Sequence, residues 1–327
     1  MTYLAPGIYD GVSPERYHGD ELTDTPALSR SGIVTLLNGT SADFAAANPR
    51  LTKWPEQIER DGTDATDLGE IVHAMVLGGL GGAKFIVGDP SEHRMPNSKT
   101  GETYKTWTGK AKEWKEARKA EGHIVIDYAT NAKAVRIAGI LTAALEARFG
   151  KEAWANRRVE QTVIWRRILN DGTQIWCKGR PDAILPDGTI VDPKTTALSL
   201  SDEGLGKRIA LDGLDIQDAF YRDGLAIVEP QPFNLNDAHE SKPPFIFAFI
   251  RTVPPYTTRL FDLAEEGWPL STTRMRIDLA AQVFGACLKS GEWPDLPVEA
   301  HPVCPGWIKE QWGLQLLEAG ILEEESL

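Results

Sequence analysis

The residues from Gly179 to Thr196 read GRPDAILPDGTIVDPKTT and hold two carboxylates and an ammonium at spacings that could do chemistry. Pro186-Asp187-Gly188 is a turn signal, because proline presets φ and glycine accepts positive φ. Thr189-Ile190-Val191 is β-branched and strand-like. A hairpin folded about Asp187 sets Asp182 opposite Asp192. Lys194 lies two residues beyond Asp192, so the period of a strand puts both on one face. Two acids facing each other across a hairpin repel. A divalent cation between them removes that penalty, and hard oxygen ligands suit Mg²⁺ or Mn²⁺. The plain alternative is a solvated hairpin whose acids face water.

The elements around this stretch decide between the two. Upstream, Thr66 to Gly79 reads as a helix capped by Thr66 or Asp67 and ended by Gly78-Gly79. Leu68, Val72, Met75 and Val76 form its core stripe. His73 interrupts that apolar helix; such a histidine is either a satisfied core residue or a ligand. Gly69, one turn earlier, permits close approach on the same face. Glu160 to Leu169, Gln174 to Leu185 and Thr189 to Thr195 read as three strands with short turns, an antiparallel meander. The stretch 199–213, with Gly204, Gly206 and Gly213, reads as mobile. Asp215 to Ala226 reads as a helix with Gln217 and Tyr221 one above the other. Phe245 to Val253 is a buried strand with a hairpin partner at Tyr256 to Leu263. Two long helices follow the same logic. Ala129 to Phe149 shows an apolar face of Ala132, Val135, Ile140, Leu141 and Leu145. Leu270 to Leu288 shows one of Met275, Leu279, Val283 and Phe284.

Arg94 to Lys119 differs from the rest of the chain. It holds eight basic residues against three glutamates, in a protein of 327 residues and net charge −12. Trp107 and Trp114 are spaced to share a helical face. The segment is either a solvated helix with one aromatic stripe or a track for phosphates. The overall acidity argues against a protein that coats nucleic acid over its whole surface, and leaves a local basic path open. Hydrophobic residues make up 42%, normal for a globular protein. No apolar run reaches the roughly 20 residues needed to span a bilayer. The first residues lack the pattern of a signal peptide, so a cytoplasmic location is expected. Cys177, Cys287 and Cys304 form no C-x-x-C pair, which argues against a zinc or four-cysteine iron–sulfur site.

The succession of these motifs resembles the PD-(D/E)XK nuclease superfamily, in its RecB-like branch. Gly69-x-x-x-His73, Gly179-Arg-Pro-Asp182, Asp192-Pro-Lys-Thr-Thr196 and Gln217-Asp-Ala-Phe-Tyr221 carry the likeness. Tyr17-His18, Leu68-Gly69, Ser98-Lys-Thr-Gly101 and Glu292-Trp-Pro294 narrow it to the RecE-type exonucleases. The resemblance implies an α/β (α+β) fold: a central mixed sheet, with the antiparallel three-strand meander, flanked by helices. It implies an N-terminal extension at 1–64, a nuclease domain at 65–294 with a basic helical insertion at about 94–150, and a tail at 295–327.

It also implies a metal-dependent exodeoxyribonuclease that degrades linear double-stranded DNA 5′→3′ for recombination, of phage or prophage type. Mg²⁺, with Mn²⁺ as a substitute, would be held by His73, Asp182, Asp192 and the carbonyl of Pro193. Relatives more often lack proline there, and Pro193 removes an N–H from its strand. Lys194 would orient or activate water. Gln217 and Tyr221 would touch the substrate backbone, and Glu160 would support the site. On their local charge, Arg94, Lys99, Lys105 and Lys110 are expected to contact DNA, with Arg180 and Thr195. The implied partners are double-stranded DNA ends, a single-strand annealing protein, and further copies of the chain in a ring. Two alternatives stand beside this: a RecB/Cas4-like nuclease acting on single strands or flaps, and a non-catalytic DNA-end binding module.

Overall fold

A computed structural model describes residues 2–53, 64–78, 84–89, 92, 107, 109–229, 242–304 and 306–318. Arg94, Lys99, Lys105 and the 98–101 motif lie outside the described residues. The chain divides into two compact units, Met1–Trp293 and Pro294–Leu327.

The first unit begins with β1 (Gly7–Tyr9), α1 (Pro14–His18), β2 (Ala27–Leu28), α2 (Arg30–Asn38) and α3 (Ser41–Ala47). Then come α4 (Asp64–Val76), β3 (Lys84–Val87), α5 (Lys110–Ala120), β4 (His123–Ile126), α6 (Tyr128–Phe149) and α7 (Lys151–Ala155). The strands β5 (Arg158–Val159), β6 (Thr162–Ile168), β7 (Gln174–Gly179), β8 (Ala183–Ile184) and β9 (Ile190–Thr196) follow. The unit closes with α8 (Asp202–Asp212), α9 (Leu214–Val228), β10 (Phe245–Arg251), β11 (Thr258–Asp262) and α10 (Leu270–Ser290). The second unit carries α11 (Gly306–Glu318).

The sheets run β1-β6-β7-β2, β11-β10-β9-β8-β5 and β3-β4. The five-stranded sheet is mixed: β9 pairs parallel to β10 and antiparallel to β8. The antiparallel succession read from the sequence is present, but it is divided between two sheets. Residues 174–185 do not make one strand. They leave the first sheet at Gly179 and join the second at Ala183. Pro181, which has no N–H to give a ladder, lies in the gap.

Both faces of the five-stranded sheet are covered, which explains the unbroken apolar run of β10. Ile190, Phe245, Phe247 and Phe249 pack with Phe220 of α9 and Ile277 and Phe284 of α10. Val191, Ala248 and Ile250 pack on the other face with Leu68 and Val72 of α4 and Ile137 and Leu141 of α6. Each such phenylalanine or leucine, fully buried, contributes roughly 1.5–3 kcal/mol of transfer free energy.

Several local expectations are corrected. α4 starts at Asp64, so Thr66 and Asp67 lie inside the helix and not at its cap. The stretch 199–213 is helical over α8: Ser201 Oγ accepts the Gly204 N–H at 3.2 Å and caps it. Met275 and Leu279 face solvent at 68% and 60% exposure, while the buried stripe of α10 is Thr273, Ile277, Ala280, Ala281 and Phe284. Val135 and Ile140 of α6 are likewise exposed. Trp107 precedes α5 and stacks back on Trp114 with ring centroids 6.0 Å apart, so the two do not share a helical face.

Candidate active site

α4 turns Leu68, Ile71 and Val72 into the core and leaves His73 partly exposed beside the sheet. Gly69 brings the helix close: a Cβ there would lie 3.0 Å from Thr195 Oγ1 on β9. His73 Nε2 lies 3.0 Å from Asp182 Oδ2. Desolvation pulls the His73 pKa down, but the charge of Asp182 and the hydrogen bond to it outweigh burial and leave it raised. Burial opposes ionisation of Asp182 in turn, and His73 overcomes it and lowers the carboxyl.

Asp182 falls opposite Asp192, one step beyond the Ala183↔Val191 and Ile184↔Ile190 pairs. The turn that sets this register closes through Leu185 N–H to the Thr189 carbonyl at 2.8 Å. Asp192 is fully buried. Its carboxylate is touched by Lys194 Nζ on one oxygen and receives a hydrogen bond from Gln217 Nε2 on the other. Burial pushes Asp192 up to about 6; Lys194 opposes that shift and Asp182 adds to it. Burial would lower Lys194, but Asp192 and Asp182 outweigh it, so the ammonium is held above its ordinary range.

Pro193 costs the strand nothing. Ile190 N–H reaches the Pro244 carbonyl at 2.8 Å, and Thr252 N–H reaches the Thr196 carbonyl at 2.7 Å. Even-numbered residues of β9 therefore bond toward β10, and Pro193 turns its nitrogen and carbonyl to the opposite edge. β8 has already ended there, at Ala183↔Val191.

The donor types fit a hard divalent cation: two carboxylates, one imidazole nitrogen and a carbonyl at an unpaired edge. Asp192 Oδ1 is buried, and the Lys194 ammonium stands against it as an ion-pair partner. As the side chains lie, no group of three His, Cys, Asp or Glu residues encloses an ion among the described residues. Asp192 is instead turned toward Lys194 and Gln217.

The other expected residues are distributed around this centre. The Glu160 N–H donates to the Asp182 carbonyl at 3.0 Å, from a backbone held at φ 47°. Only a sparsely populated conformation brings it there. Tyr221 packs on Gly179, whose Cβ position is 3.0 Å from its ring. Arg180 donates to the Val12 carbonyl at 2.6 Å and lies over the Tyr17 ring. Lys110 is exposed on α5.

A cleft of about 490 Å³ adjoins the centre, lined by Tyr17, Arg30, Asn48, Lys178, Gln217 and Tyr221 among others. Its wall holds a buried ion pair that sequence reasoning missed. Lys178 Nζ lies 2.7 Å from Asp20 Oδ1, and Asn48 Nδ2 donates to the same carboxylate at 2.9 Å. Arg208 on α8 was missed as well, because its helix was read as a mobile stretch. The signal that could have found it is Ser201 followed by two acids, a helix-start pattern.

No family model and no curated protein matches the sequence. Among solved structures, the chain is similar to a candidate exonuclease from Eubacterium rectale. The TM-score is 0.51, with 16% identity over 90% of this chain and 97% of that one. That likeness shows the fold: an α+β architecture built on mixed sheets. A second solved structure, that of SSO0001, is 19% identical over 50% of this chain and 66% of that one; its TM-score of 0.24 carries no argument. No helix among the described residues is long and apolar enough to cross a membrane.

Proposed function

We propose that this chain is a Mg²⁺-dependent exodeoxyribonuclease of the RecE type. It hydrolyses one strand of linear double-stranded DNA from the 5′ end and leaves a 3′ single strand for recombination, in a phage or prophage setting. The observation that carries the reading is the meeting of His73, Asp182, Asp192 and Lys194 beside the middle strand of the mixed sheet. His73 comes from an element far from the hairpin that carries the other three, and grouping them has a cost in buried charge that a hydrolytic centre explains.

His73, Asp182, Asp192 and the Pro193 carbonyl would hold Mg²⁺, with Mn²⁺ as a substitute. When bound, the ion supplies Lewis-acid stabilisation of the phosphoryl oxygens and makes hydroxide accessible near neutral pH. Lys194, kept as an ammonium, donates to a phosphoryl oxygen or to the attacking water where negative charge builds up. Gln217 fixes the rotation of Asp192. Tyr221, Arg180 and Thr195 line the path of the strand. Arg94, Lys99, Lys105 and Lys110 give the duplex a basic track. Copies of the chain form a ring on DNA, a single-strand annealing protein receives the product strand, and the site of action is the cytoplasm.

The test is end-labelled linear duplex incubated with Mg²⁺, with and without chelator. Wild type should release mononucleotides from the 5′ end, and Lys194→Ala should lose about 10²–10³-fold in rate. DNA ends left intact with every divalent metal would overturn the reading.

A further inference from the structure

The row that begins with Asp192 and Lys194 continues. By the period of a strand, Thr196 is the next residue on that face. Its hydroxyl accepts a hydrogen bond from Arg208 Nη1 at 2.7 Å. The Arg208 guanidinium also lies 5.8 Å from the Phe249 ring centroid, and Phe249 is the cross-strand neighbour of Lys194. α8 therefore delivers a second cationic group to the face on which Lys194 stands. The side chains of Lys194 and Arg208 are 28% and 27% exposed.

We infer that Arg208, anchored on Thr196, is a second phosphate-binding point, which takes the phosphodiester next to the one that is cut. Same-face residues two apart on a strand are separated by about 6.6 Å, on the scale of the step between successive phosphates of an extended strand. A guanidinium has five N–H donors in one plane. Asp212 takes those of Nε and Nη2 at 2.9 and 2.8 Å, and Thr196 takes one of Nη1. One N–H is left on each Nη, in a planar group suited to phosphate oxygens. Asp212 pairs its carboxylate with Arg208, and Arg30, whose Nη2 donates to the Asp212 backbone carbonyl, adds a second positive charge to the patch. That arginine acts on Lys194 as a further positive charge. Arg208 is thus a positioning residue. It holds the strand so that its neighbour phosphate meets Lys194.

The inference rests on the nuclease reading, and one pair of measurements separates the two. Binding of wild type, Arg208→Gln and Lys194→Ala to a linear duplex is followed by fluorescence anisotropy in Ca²⁺ as salt is varied. Cleavage is followed in Mg²⁺. Loss of one phosphate contact should flatten the slope of log K against log salt by about 0.9. It should raise KM about 10-fold or more with kcat little changed. Lys194→Ala should bind DNA and not cut it. Arg208→Lys keeps the charge and should keep the slope, while losing part of the affinity with the planar group. If Arg208→Gln does not fold by thermal melting, Thr196→Val, which removes the anchor and leaves the guanidinium, should still raise KM. An unchanged slope and KM with cutting intact overturn the Arg208 contact and leave the nuclease reading standing. A wild type that binds but never cuts removes the nuclease reading, and with it the role of Arg208 as neighbour to a cut.

Discussion

His73 Nε2 and Asp182 Oδ2 stand 3.0 Å apart, the first on an early helix and the second at the joint between two sheets. The imidazole and the carboxyl now pair with each other, and a divalent ion would take the place of that contact. At a free ion concentration about a hundredfold over Kd, Mn²⁺ should stabilise wild type by about 2.7 kcal/mol. His73→Ala should show much less of this gain in thermal melts, and should lose about 10²-fold or more in Mg²⁺-dependent hydrolysis. An equal gain in variant and wild type would place the ion elsewhere.

Gln217 gives its amide hydrogen to Asp192 and not to solvent. Gln217→Ala should therefore lower kcat roughly tenfold, on the scale of an outer hydrogen bond to a ligand, with KM nearly constant. Steady-state kinetics on duplex ends would show it. A rise in KM at constant kcat would instead make Gln217 a direct contact to the DNA backbone.

Gly224 on α9 faces Trp165, and a Cβ there would lie 2.7 Å from the ring. Trp165 is fully buried and cannot swing away. Gly224→Ala gains about 1 kcal/mol of helix propensity but should lose more to overpacking, about 1–3 kcal/mol. Gly139 on α6 is the control. It has nothing within 4 Å of its Cβ position, so Gly139→Ala should stabilise. Urea midpoints of the two variants should move in opposite directions.

Asp218 neighbours Gln217 and is fully buried beside Arg222, with their nearest contact at 2.7 Å. Burial raises its pKa from 3.8 to about 6, with Arg222 offsetting part of the shift. The folded state thus keeps a proton that the unfolded chain has already lost over that window. Stability contributed by this group is present below about pH 4, falls as pH rises towards 6, and then levels off. The full change is on the order of 3 kcal/mol. The difference in stability between wild type and Asp218→Asn should shift by that order across the window. No shift would mean the carboxyl titrates normally.

Much of the site could be read in the sequence, because short-range rules fix it. Pro186-Asp187-Gly188 sets the hairpin, and the hairpin sets Asp182 against Asp192. Strand periodicity then places Lys194 beside Asp192. What could not be read depended on packing. Gly204 and Gly206 hid α8, although Ser201 caps it. The stripe of α10 was drawn through Met275 and Leu279, because large apolar residues outweigh the Thr273 and Ala280 that are in fact buried. Gly179-Arg180-Pro181 was read as strand, because nothing local says that one run will serve two sheets. The approach of Asp20 to Lys178 spans 158 residues, and no spacing rule anticipates it.

That division of one run between two sheets has a consequence for the N-terminal residues. β1 and β2 close the two edges of the four-stranded sheet, and Asp182 hangs from the same sheet through Gly179. The first thirty or so positions thereby act as a keel. They supply none of His73, Asp182, Asp192 and Lys194, yet they set the attitude of the strand that does. Truncation there should blunt the centre from a distance, much as a warped frame spoils the bite of a shear whose blades are intact.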